Sequence, residues 1–380
     1  MFLDIYRNYP AVILSKTYND PISMTGLLVY CDRIMSYTSR QLHIFWLIFK
    51  NQPVGIAELI VLLKNNISVS SLNRDLSVLK NDTLLLVTGK GPNTKYIVPL
   101  ESLLRIDLPT DEYFKTEPDD RIIISKFNFS LFDSLSKVDL FTDEELEQLN
   151  ELTEKYKKNT KQLSKAEFKR EFERLTIELS WKSSQIEGNT YDLLDTEQLL
   201  KYNIQSQKNS EEEAIMLLNH KAAIEYSHQY ASSYKKLSTG NIMELHTLLT
   251  KKMGIAKNIR KRIVRITGTN YTPPENQFLI EEYLERTTKL VNAKKSVFEK
   301  ALITVLLLSY IQAFEDGNKR TARLTANAVL MAYNYCPLSY RSIKPTDYKK
   351  AMLLFYEVNN ITAFKKIFID QYIFAVNTYF

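Results

Sequence analysis

The residues best suited to chemistry lie in one short stretch, residues 312–323, which follows an apolar run. A turn at 316–318 precedes a helical pattern, and a helix N-terminus exposes unpaired backbone N–H groups at the positive end of the helix dipole. Such an end binds phosphate, and Gly317 lets the backbone approach the ligand closely. Arg320 and Arg323 are three residues apart, so both project to one side of the helix and can hold further phosphate oxygens. The stretch predicts a phosphate-binding loop.

A metal ion is expected at the same loop. Asp316 offers a hard oxygen ligand, and Mg²⁺ usually binds through one carboxylate together with phosphates of the substrate. The spacing of the four histidines matches no metal site; they are His43, His220, His228 and His246. The sequence therefore predicts Mg²⁺ at Asp316, bound together with a phosphate ligand.

Three helices are predicted upstream of this loop. The apolar run at 301–311 is too short to cross a bilayer and predicts a buried helix. Upstream, capping boxes at 142–145 and 164–167 each start a helix, and Gly188 ends the second one just after Glu187. The inward positions of that second helix are expected at Phe168, Phe172, Leu175, Leu179 and Ile186.

The stretch at 312–323 resembles the signature of the Fic family, His-Pro-Phe-x-Asp/Glu-Gly-Asn-Gly/Lys-Arg-x-x-Arg. The matching positions are Phe314, Asp316, Gly317, Asn318, Lys319, Arg320 and Arg323. On the upstream helix, Ser183-x-x-x-Glu187-Gly188 resembles the inhibitory motif of autoinhibited Fic proteins. The resemblance covers residues 164–380 and implies a mostly helical bundle there.

The resemblance implies that the chain binds ATP with Mg²⁺ and transfers AMP to a hydroxyl of a protein side chain, releasing pyrophosphate. The implied ligands are Asp316 for Mg²⁺, Gly317, Asn318 and Lys319 in an anion hole, Arg320 and Arg323 at the β- and γ-phosphates, and Tyr348 near adenine. The implied inhibitory residues are Ser183 and Glu187, of which Glu187 pairs with Arg323 and keeps the γ-phosphate from its productive position. Phosphate or phosphocholine transfer and removal of AMP are also known for this fold.

The chain departs from the Fic signature at Gln312, where the family has the histidine that takes the proton from the attacking hydroxyl. A carboxamide does not titrate near the working pH and cannot act as this base. Loss of a general base typically lowers the rate by about 10²- to 10⁴-fold, so impaired activity is expected. Ala313, in place of the family's proline, is a mild change. A natural nucleotide-binding pseudoenzyme and an altered residue both agree with Gln312.

Residues 263–272 alternate enough to predict a short β-hairpin around Thr267-Gly268. The hairpin resembles the Fic flap, which implies a strand edge on which a segment of a target protein docks by β-augmentation. An ordinary surface hairpin is the alternative.

Residues 39–100 show three helical patterns followed by a hairpin pattern, an order that resembles a winged helix-turn-helix. The apolar positions expected inward are Leu42, Phe45, Trp46 and Phe49 on the first helix, Ile56, Leu59, Ile60 and Leu63 on the second, and Leu72, Leu76 and Leu79 on the third, which Ser68 caps. Strands are expected at 84–88 and 95–98, joined by a tip at 89–93.

This segment predicts contacts with DNA. The outward residues that a recognition helix and a wing would present to DNA are Asn73, Arg74, Lys80, Lys90 and Lys95. A small helical domain used for protein contacts is the alternative.

The expected fold class is mainly α, in three parts. These are a winged helix-like domain with a small β-hairpin and an irregular N-terminal segment at 1–110, a helical linker region at 111–163, and a helical Fic-type bundle with its inhibitory helix and a β-hairpin flap at 164–380. The first residues lack the organisation of a signal peptide, and Cys31 lies far from Cys336, so a cytoplasmic protein without disulfides is expected. The net charge of +6 over 380 residues requires no polyanionic partner.

The leading interpretation is an autoinhibited Fic-type protein adenylyltransferase. Its substrate would be ATP with Mg²⁺, its target protein would dock on the flap, and DNA would bind the N-terminal domain. Fic family members often self-associate, so a homodimer agrees with the resemblance while the sequence leaves the oligomeric state open, and no contact with a membrane is expected. The alternative is a nucleotide-sensing, DNA-binding transcriptional regulator whose Fic domain is inactive.

Overall fold

The chain is described by a computed structural model that covers residues 37–380. Cys31 and almost all of the N-terminal segment predicted to be irregular, residues 1–38, lie outside the described residues. The chain divides into two compact units, one that ends at Asp107 and one that runs from Leu108 to Phe380. Residues 111–163 belong to the second unit.

The N-terminal unit has the predicted order of three helices and a hairpin. Its elements are α1 (Ser39–Asn51), α2 (Ile56–Leu62), α3 (Val69–Asn81), β1 (Leu86–Thr88), β2 (Lys95–Ile97) and α4 (Leu100–Arg105). Thr38 starts α1 with a capping box, and Ser68 caps α3 as predicted. The strands are antiparallel, with Val87 opposite Tyr96.

The inward face of α1 was predicted correctly at Phe45 and wrongly at the other three positions. The helix buries Gln41, Ile44, Phe45 and Ile48, while Leu42, Trp46 and Phe49 are half-buried. Two neighbouring faces of α1 carry apolar residues, and the buried one also contains Gln41. Gln41 can be buried because its side chain donates a hydrogen bond to the buried carboxylate of Asp75 on α3. On α2 only Leu59 is buried, whereas the three leucines predicted on α3 are all buried.

The second unit is a helical bundle. Its helices are α5 (Thr110–Tyr113), α6 (Leu131–Lys137), α7 (Asp143–Gln162), α8 (Lys165–Ile186), α9 (Leu193–Tyr202), α10 (Glu211–Gln229), α11 (Thr239–Leu249), α12 (Gln277–Ala293), α13 (Val297–Ile311), α14 (Asn318–Ala332), α15 (Pro345–Val358) and α16 (Thr362–Thr378). Both capping boxes predicted for α7 and α8 are present, and α8 ends at Ile186 with Glu187 as its C-cap.

The helix pair α13 and α14 lies at the centre of this bundle, and α8, α10, α11 and α12 pack around the pair. Every residue of α13 is buried, as the apolar run predicted. Between residues 37 and 380, no helix is both long enough and apolar enough to cross a membrane. The loop that joins α13 to α14 carries the stretch identified as a phosphate-binding loop.

The β-hairpin predicted at 263–272 is absent. Gly268 does lie in a turn, with φ at 88°, but neither arm is a strand. The second arm pairs elsewhere, because the N–H of Thr272 donates to the oxygen of Ser125 (2.8 Å) and Thr272 forms an isolated parallel bridge with Lys126. These backbone groups are therefore unavailable to the first arm, and the prediction of a flap with its own strands was wrong.

The tip of the N-terminal hairpin provides a test of the fold. Gly89 and Gly91 both have positive φ, at 76° and 55°, so alanine costs about 1–2 kcal/mol at either position. A Cβ at Gly89 would lie 2.2 Å from the carbonyl oxygen of Asn93, whereas nothing lies within 4 Å of one at Gly91. Gly89→Ala is therefore expected to lower the free energy of unfolding more than Gly91→Ala does, as measured by urea unfolding. Equal losses would contradict this account of the tip.

Candidate active site

The loop between α13 and α14 is closed by hydrogen bonds between its own ends. α13 stops at Gln312, whose φ of 50° places it in the left-handed region. The side chain of Asn318 then holds the backbone of Phe314 twice, since Asn318 Oδ1 accepts from the Phe314 N–H and Asn318 Nδ2 donates to the Phe314 oxygen (2.8 Å each). Both polar atoms of the Asn318 side chain are therefore engaged inside the loop, and its backbone N–H lies at the start of α14.

Gly317 starts α14 at a position that excludes other residues. Its φ is 79°, and a Cβ there would lie 3.1 Å from Cγ2 of Thr250 on the neighbouring segment. The first intrahelical bond runs from the N–H of Thr321 to the Gly317 oxygen. The N–H groups of residues 318–320 precede this bond and form the donor end of α14, which suits an anion.

His246 on α11 holds the loop from outside. Its ring stacks on Phe314 with the centroids 3.6 Å apart, and its Nε2 lies 3.0 Å from the carbonyl oxygen of Asp316. The pKa of His246 is lowered to about 4, mainly by burial. The charge of Arg320 also lowers this pKa, whereas the hydrogen bond to the Asp316 carbonyl raises it. The ring is thus neutral at pH 7 and donates its Nε2–H to a carbonyl that can only accept.

Arg260 holds the other side of the loop. Its side chain is buried, with Nε donating to the Gln312 oxygen (2.5 Å) and Nη2 donating to the Pro274 oxygen (2.7 Å), and its backbone N–H donates to the Ala313 oxygen (3.0 Å). Burial lowers the pKa of Arg260. Arg260 and His246 together fix the loop in one conformation.

The side chain of Gln312 turns back onto its own helix. Its Nε2 donates to the Ser309 oxygen (2.6 Å), and the residue is 7% exposed. The carboxamide is thus unable to accept a proton and is also engaged with the last turn of α13. The histidines that contact the site, His246 and His220, are each bonded to another group.

Arg323 on α14 is fully buried and bonded to the end of α8. Its Nε donates to Ser183 Oγ (2.9 Å), its Nη2 to the Ser183 carbonyl oxygen (2.8 Å) and its Nη1 to Glu187 Oε1 (2.8 Å). Lys319 contributes to the same cluster, with Nζ 3.6 Å from Glu187 Oε2. The carboxylate of Glu187 therefore lies against two cationic side chains from the first two turns of α14.

The charges explain why this carboxylate stays ionised. Burial alone would raise the pKa of Glu187, but Arg323 and Lys319 outweigh burial, and the pKa is lowered. Burial alone would also lower the pKa of Arg323, yet Tyr348 and Glu187 raise it above its ordinary value. The ion pair is thus fully charged at neutral pH.

Ser183 is held in turn by His220 on α10. Ser183 Oγ lies 2.8 Å from His220 Nε2, and all of these groups are buried. Ser183 Oγ accepts from Arg323 and shares a hydrogen bond with the ring of His220, whose donor is set by the tautomer of that ring. Burial lowers the pKa of His220 well below its usual range, which keeps the ring neutral.

The remaining predicted site residues lie around this cluster. Arg320 is buried, with Nη2 3.5 Å from Asp316 Oδ2 and Nη1 3.8 Å from Met253 Sδ. The side chain of Asp316 is 68% exposed and available to a metal. Tyr348 is fully buried, with the Arg323 guanidinium 5.2 Å from its ring centre, so it supports Arg323 and has no face open to a base.

The signature residues and the two residues of the proposed inhibitory motif are thus brought together by α8 and α14. Sequence reasoning missed His220, His246 and Arg260, because each contacts the site from a separate segment and carries no motif. The residues predicted to contact DNA belong to the N-terminal unit. Of these, Asn73, Arg74, Lys80 and Lys90 are exposed, whereas Lys95 is bound to Glu58 at 2.7 Å.

The profile of the Fic/DOC family matches residues 236–330. The chain carries a Fic/DOC family domain. The matched range includes the loop, His246 and Arg260, while Ser183, Glu187 and His220 precede it.

Known relatives agree with this assignment at low identity. The chain is 24% identical to "Protein adenylyltransferase fic-1" of Caenorhabditis elegans over 159 residues, which are 40% of this chain and 31% of the relative. It is 26% identical to "Protein adenylyltransferase Fic" of Nematostella vectensis over 172 residues, 44% of this chain and 40% of the relative. The match therefore spans less than half the length of these relatives.

Solved structures show the same fold. A fragment of Fic-1 from C. elegans has a TM-score of 0.53 at 20% identity and covers 62% of this chain and 69% of its own. A signalling protein of Bacteroides thetaiotaomicron that contains a Fic domain has a TM-score of 0.51 at 22% identity, over 60% and 94% of the two chains. Each structural alignment covers 60% or more of this chain, which is a larger part than residues 236–330.

The neutral state of His246 predicts a pH dependence of the Fic domain's stability. Between an unfolded pKa of about 6.5 and the folded value of about 4, only the unfolded chain binds this proton, so stability falls as the pH is lowered through this window. The loss amounts to about 3 kcal/mol for this group. His246→Gln, which can still donate to Asp316, should have a flatter profile of unfolding free energy against pH. An unchanged profile would show that His246 is not responsible.

Proposed function

We propose that this protein is a Fic-type protein adenylyltransferase that Glu187 holds in an inhibited state and whose activity is impaired by Gln312. The observation that supports this most is the contact of Arg323 with Glu187 at the donor end of α14. A carboxylate there occupies the place that a nucleotide phosphate needs.

In the proposed reaction, the oxygen of a protein hydroxyl forms a bond to the α-phosphorus of ATP. The bond from that phosphorus to the bridging oxygen of the leaving group breaks, and pyrophosphate departs. The N–H groups of residues 318–320 and the side chains of Arg320 and Arg323 bind the phosphates. The backbone N–H groups are held ready for the reaction, because Asn318, His246 and Arg260 bond the backbone of the loop that leads into α14.

The residues present fit Mg²⁺ bound together with a nucleotide. The exposed carboxylate of Asp316 lies beside the donor end of α14, and one carboxylate plus phosphate oxygens is the usual ligand set of this ion. Among residues 37–380, no cluster of three acidic, histidine or cysteine side chains would hold an ion without a nucleotide. When bound, Mg²⁺ neutralises part of the phosphate charge.

The proton of the attacking hydroxyl has no acceptor in the loop. Gln312 cannot accept a proton. The neutral rings of His246 and His220 contact the Asp316 carbonyl and Ser183 through Nε2, and the Nδ1 atom of each ring is buried. Transfer therefore depends on solvent or on the target itself, which explains why slow reaction is expected even after the nucleotide site opens.

Two substitutions should restore activity only in combination. Glu187→Gly opens the phosphate site without a base, and Gln312→His restores a base while Glu187 still holds Arg323. The double variant should therefore label protein about 10²- to 10⁴-fold faster than Glu187→Gly alone. Transfer of radiolabel from the α-phosphate of ATP to protein measures this.

Gln312→Asn in the Glu187→Gly background is the matched control, because it changes the same side chain without adding a titratable group. The control should label no faster than Glu187→Gly alone. A double variant with Gln312→His that is equally slow would refute adenylyl transfer by this site or the place of Gln312 in it.

A nucleotide-sensing regulator that binds DNA is the second candidate. The observation that favours it is the exposed set of Arg74 and Lys80 on α3 with Lys90 at the tip of the hairpin. A recognition helix followed by a basic hairpin is the arrangement that places cations against the phosphates of a duplex.

The second candidate predicts salt-dependent binding of the full-length protein to duplex DNA. Arg74→Ala with Lys90→Ala should weaken binding in a mobility-shift assay. The slope of log affinity against log salt concentration should become shallower by the amount expected for about two lost phosphate contacts. Lys50→Ala with Lys64→Ala changes the charge equally at exposed positions outside α3 and the hairpin. Equal weakening by both pairs would indicate a general charge effect, and no shift at low salt would exclude the DNA contact.

A further inference from the structure

The stretch from Thr250 to Pro274 has an unusual charge. It contains seven lysines and arginines and no acidic residue, whereas the whole chain has a formal charge of +6. The rest of the chain is therefore close to neutral. The excess positive charge of the protein is concentrated in this one segment, which follows α11 and precedes α12.

Most of these cationic side chains are exposed and have no acidic partner among residues 37–380. Six are exposed, and within residues 37–380 none of the six forms an ion pair; they are Lys251, Lys252, Lys257, Lys261, Arg262 and Arg265. The seventh, Arg260, is buried and holds the phosphate loop. Exposed like charges so close in sequence repel one another, which an anionic partner would relieve.

The segment contacts the phosphate loop and the start of α14 near its beginning and again at Arg260. Near its start, Met253 Sδ lies 3.8 Å from Arg320 Nη1, and Thr250 packs where a Cβ of Gly317 would be. Further along, the N–H of Arg260 donates to the oxygen of Ala313. A molecule bound along this segment would therefore lie beside the loop that we propose to bind ATP.

The local structure favours a polypeptide over a nucleic acid. Residues 251–265 form no helix or strand that could enter a groove, and they contain no aromatic side chain on which a base could stack. Ile263 is 56% exposed between Arg262 and Arg265, and an apolar side chain among cations suits an acidic peptide with apolar residues. Lys261 shares a groove of about 540 Å³ with Glu281 and Glu285 on α12, so an acidic segment would lie along the other exposed cations.

We propose that residues 251–265 form a docking surface for an acidic segment of the target protein. The inference rests on the proposed function, because it names the kind of protein that would be modified. The acidic segment lies along the exposed cations, and this contact brings a hydroxyl nearby in the target to the phosphate loop.

The test uses the full-length protein and a fluorescein-labelled peptide of ten glutamates, with binding followed by fluorescence anisotropy at low salt. Lys257→Gln, Arg262→Gln and Arg265→Gln together should weaken binding about tenfold, since each exposed charge contributes modestly. Lys158→Gln, Lys161→Gln and Lys165→Gln together form the matched control, because they remove three exposed cations on and after α7. This control should change the affinity less than twofold.

Three results would overturn the proposal: no binding of the peptide, equal weakening by both triple variants, or a labelled ten-nucleotide oligothymidine whose binding depends on the same three cations more than the peptide does. The last result would assign the segment to nucleic acid. Calorimetry with ATP and Mg²⁺ on the same preparations reports the proposed function separately. Intact nucleotide binding without peptide binding contradicts the docking surface alone, and peptide binding without nucleotide binding contradicts the proposed function alone.

Discussion

Arg323 is completely buried and cannot lose its proton, so the fold must surround it with acceptors. Ser183 and Glu187 at the end of α8 supply them, and His220 holds Ser183 from a third helix. This one requirement determines how α8 lies against α14. Under the proposed function it also makes the site switchable, because a phosphate oxygen can satisfy the same guanidinium as well as a carboxylate does.

The loop between α13 and α14 is ordered independently of that contact. Asn318, His246 and Arg260 bond its backbone, and none of these bonds involves Glu187. Removal of Glu187 would therefore leave the donors of the loop in place, with Ser183 still bonded to Arg323. Under the proposed function, the donors for a nucleotide are thus in place and one side chain, Glu187, closes the site. Binding of the nucleotide can therefore be tested separately from the missing base at Gln312.

The sequence was informative where the structure is local. Capping boxes located α7 and α8, an unbroken apolar run located α13, and the spacing of the signature placed Asp316, Arg320 and Arg323 on one loop and helix. The contacts of His246 and Arg260 could not be found in this way, because 70 and 52 residues separate these side chains from their partners in the loop. The prediction of a β-hairpin at 263–272 was wrong for the same reason. The backbone of Thr272 pairs with residues 125–126, and no local sequence pattern indicates a partner so far away in the chain.

The central claim is that Glu187 competes with the γ-phosphate for Arg323. Calorimetric titration of the unaltered protein and of Glu187→Gly, each with ATP and with ADP in the presence of Mg²⁺, tests it most directly. Loss of a charge-assisted contact of this kind corresponds to roughly tenfold to a hundredfold in affinity, so Glu187→Gly should strengthen ATP binding by about that factor and ADP binding far less. Equal effects on ATP and ADP, or no effect on either, would contradict the claim.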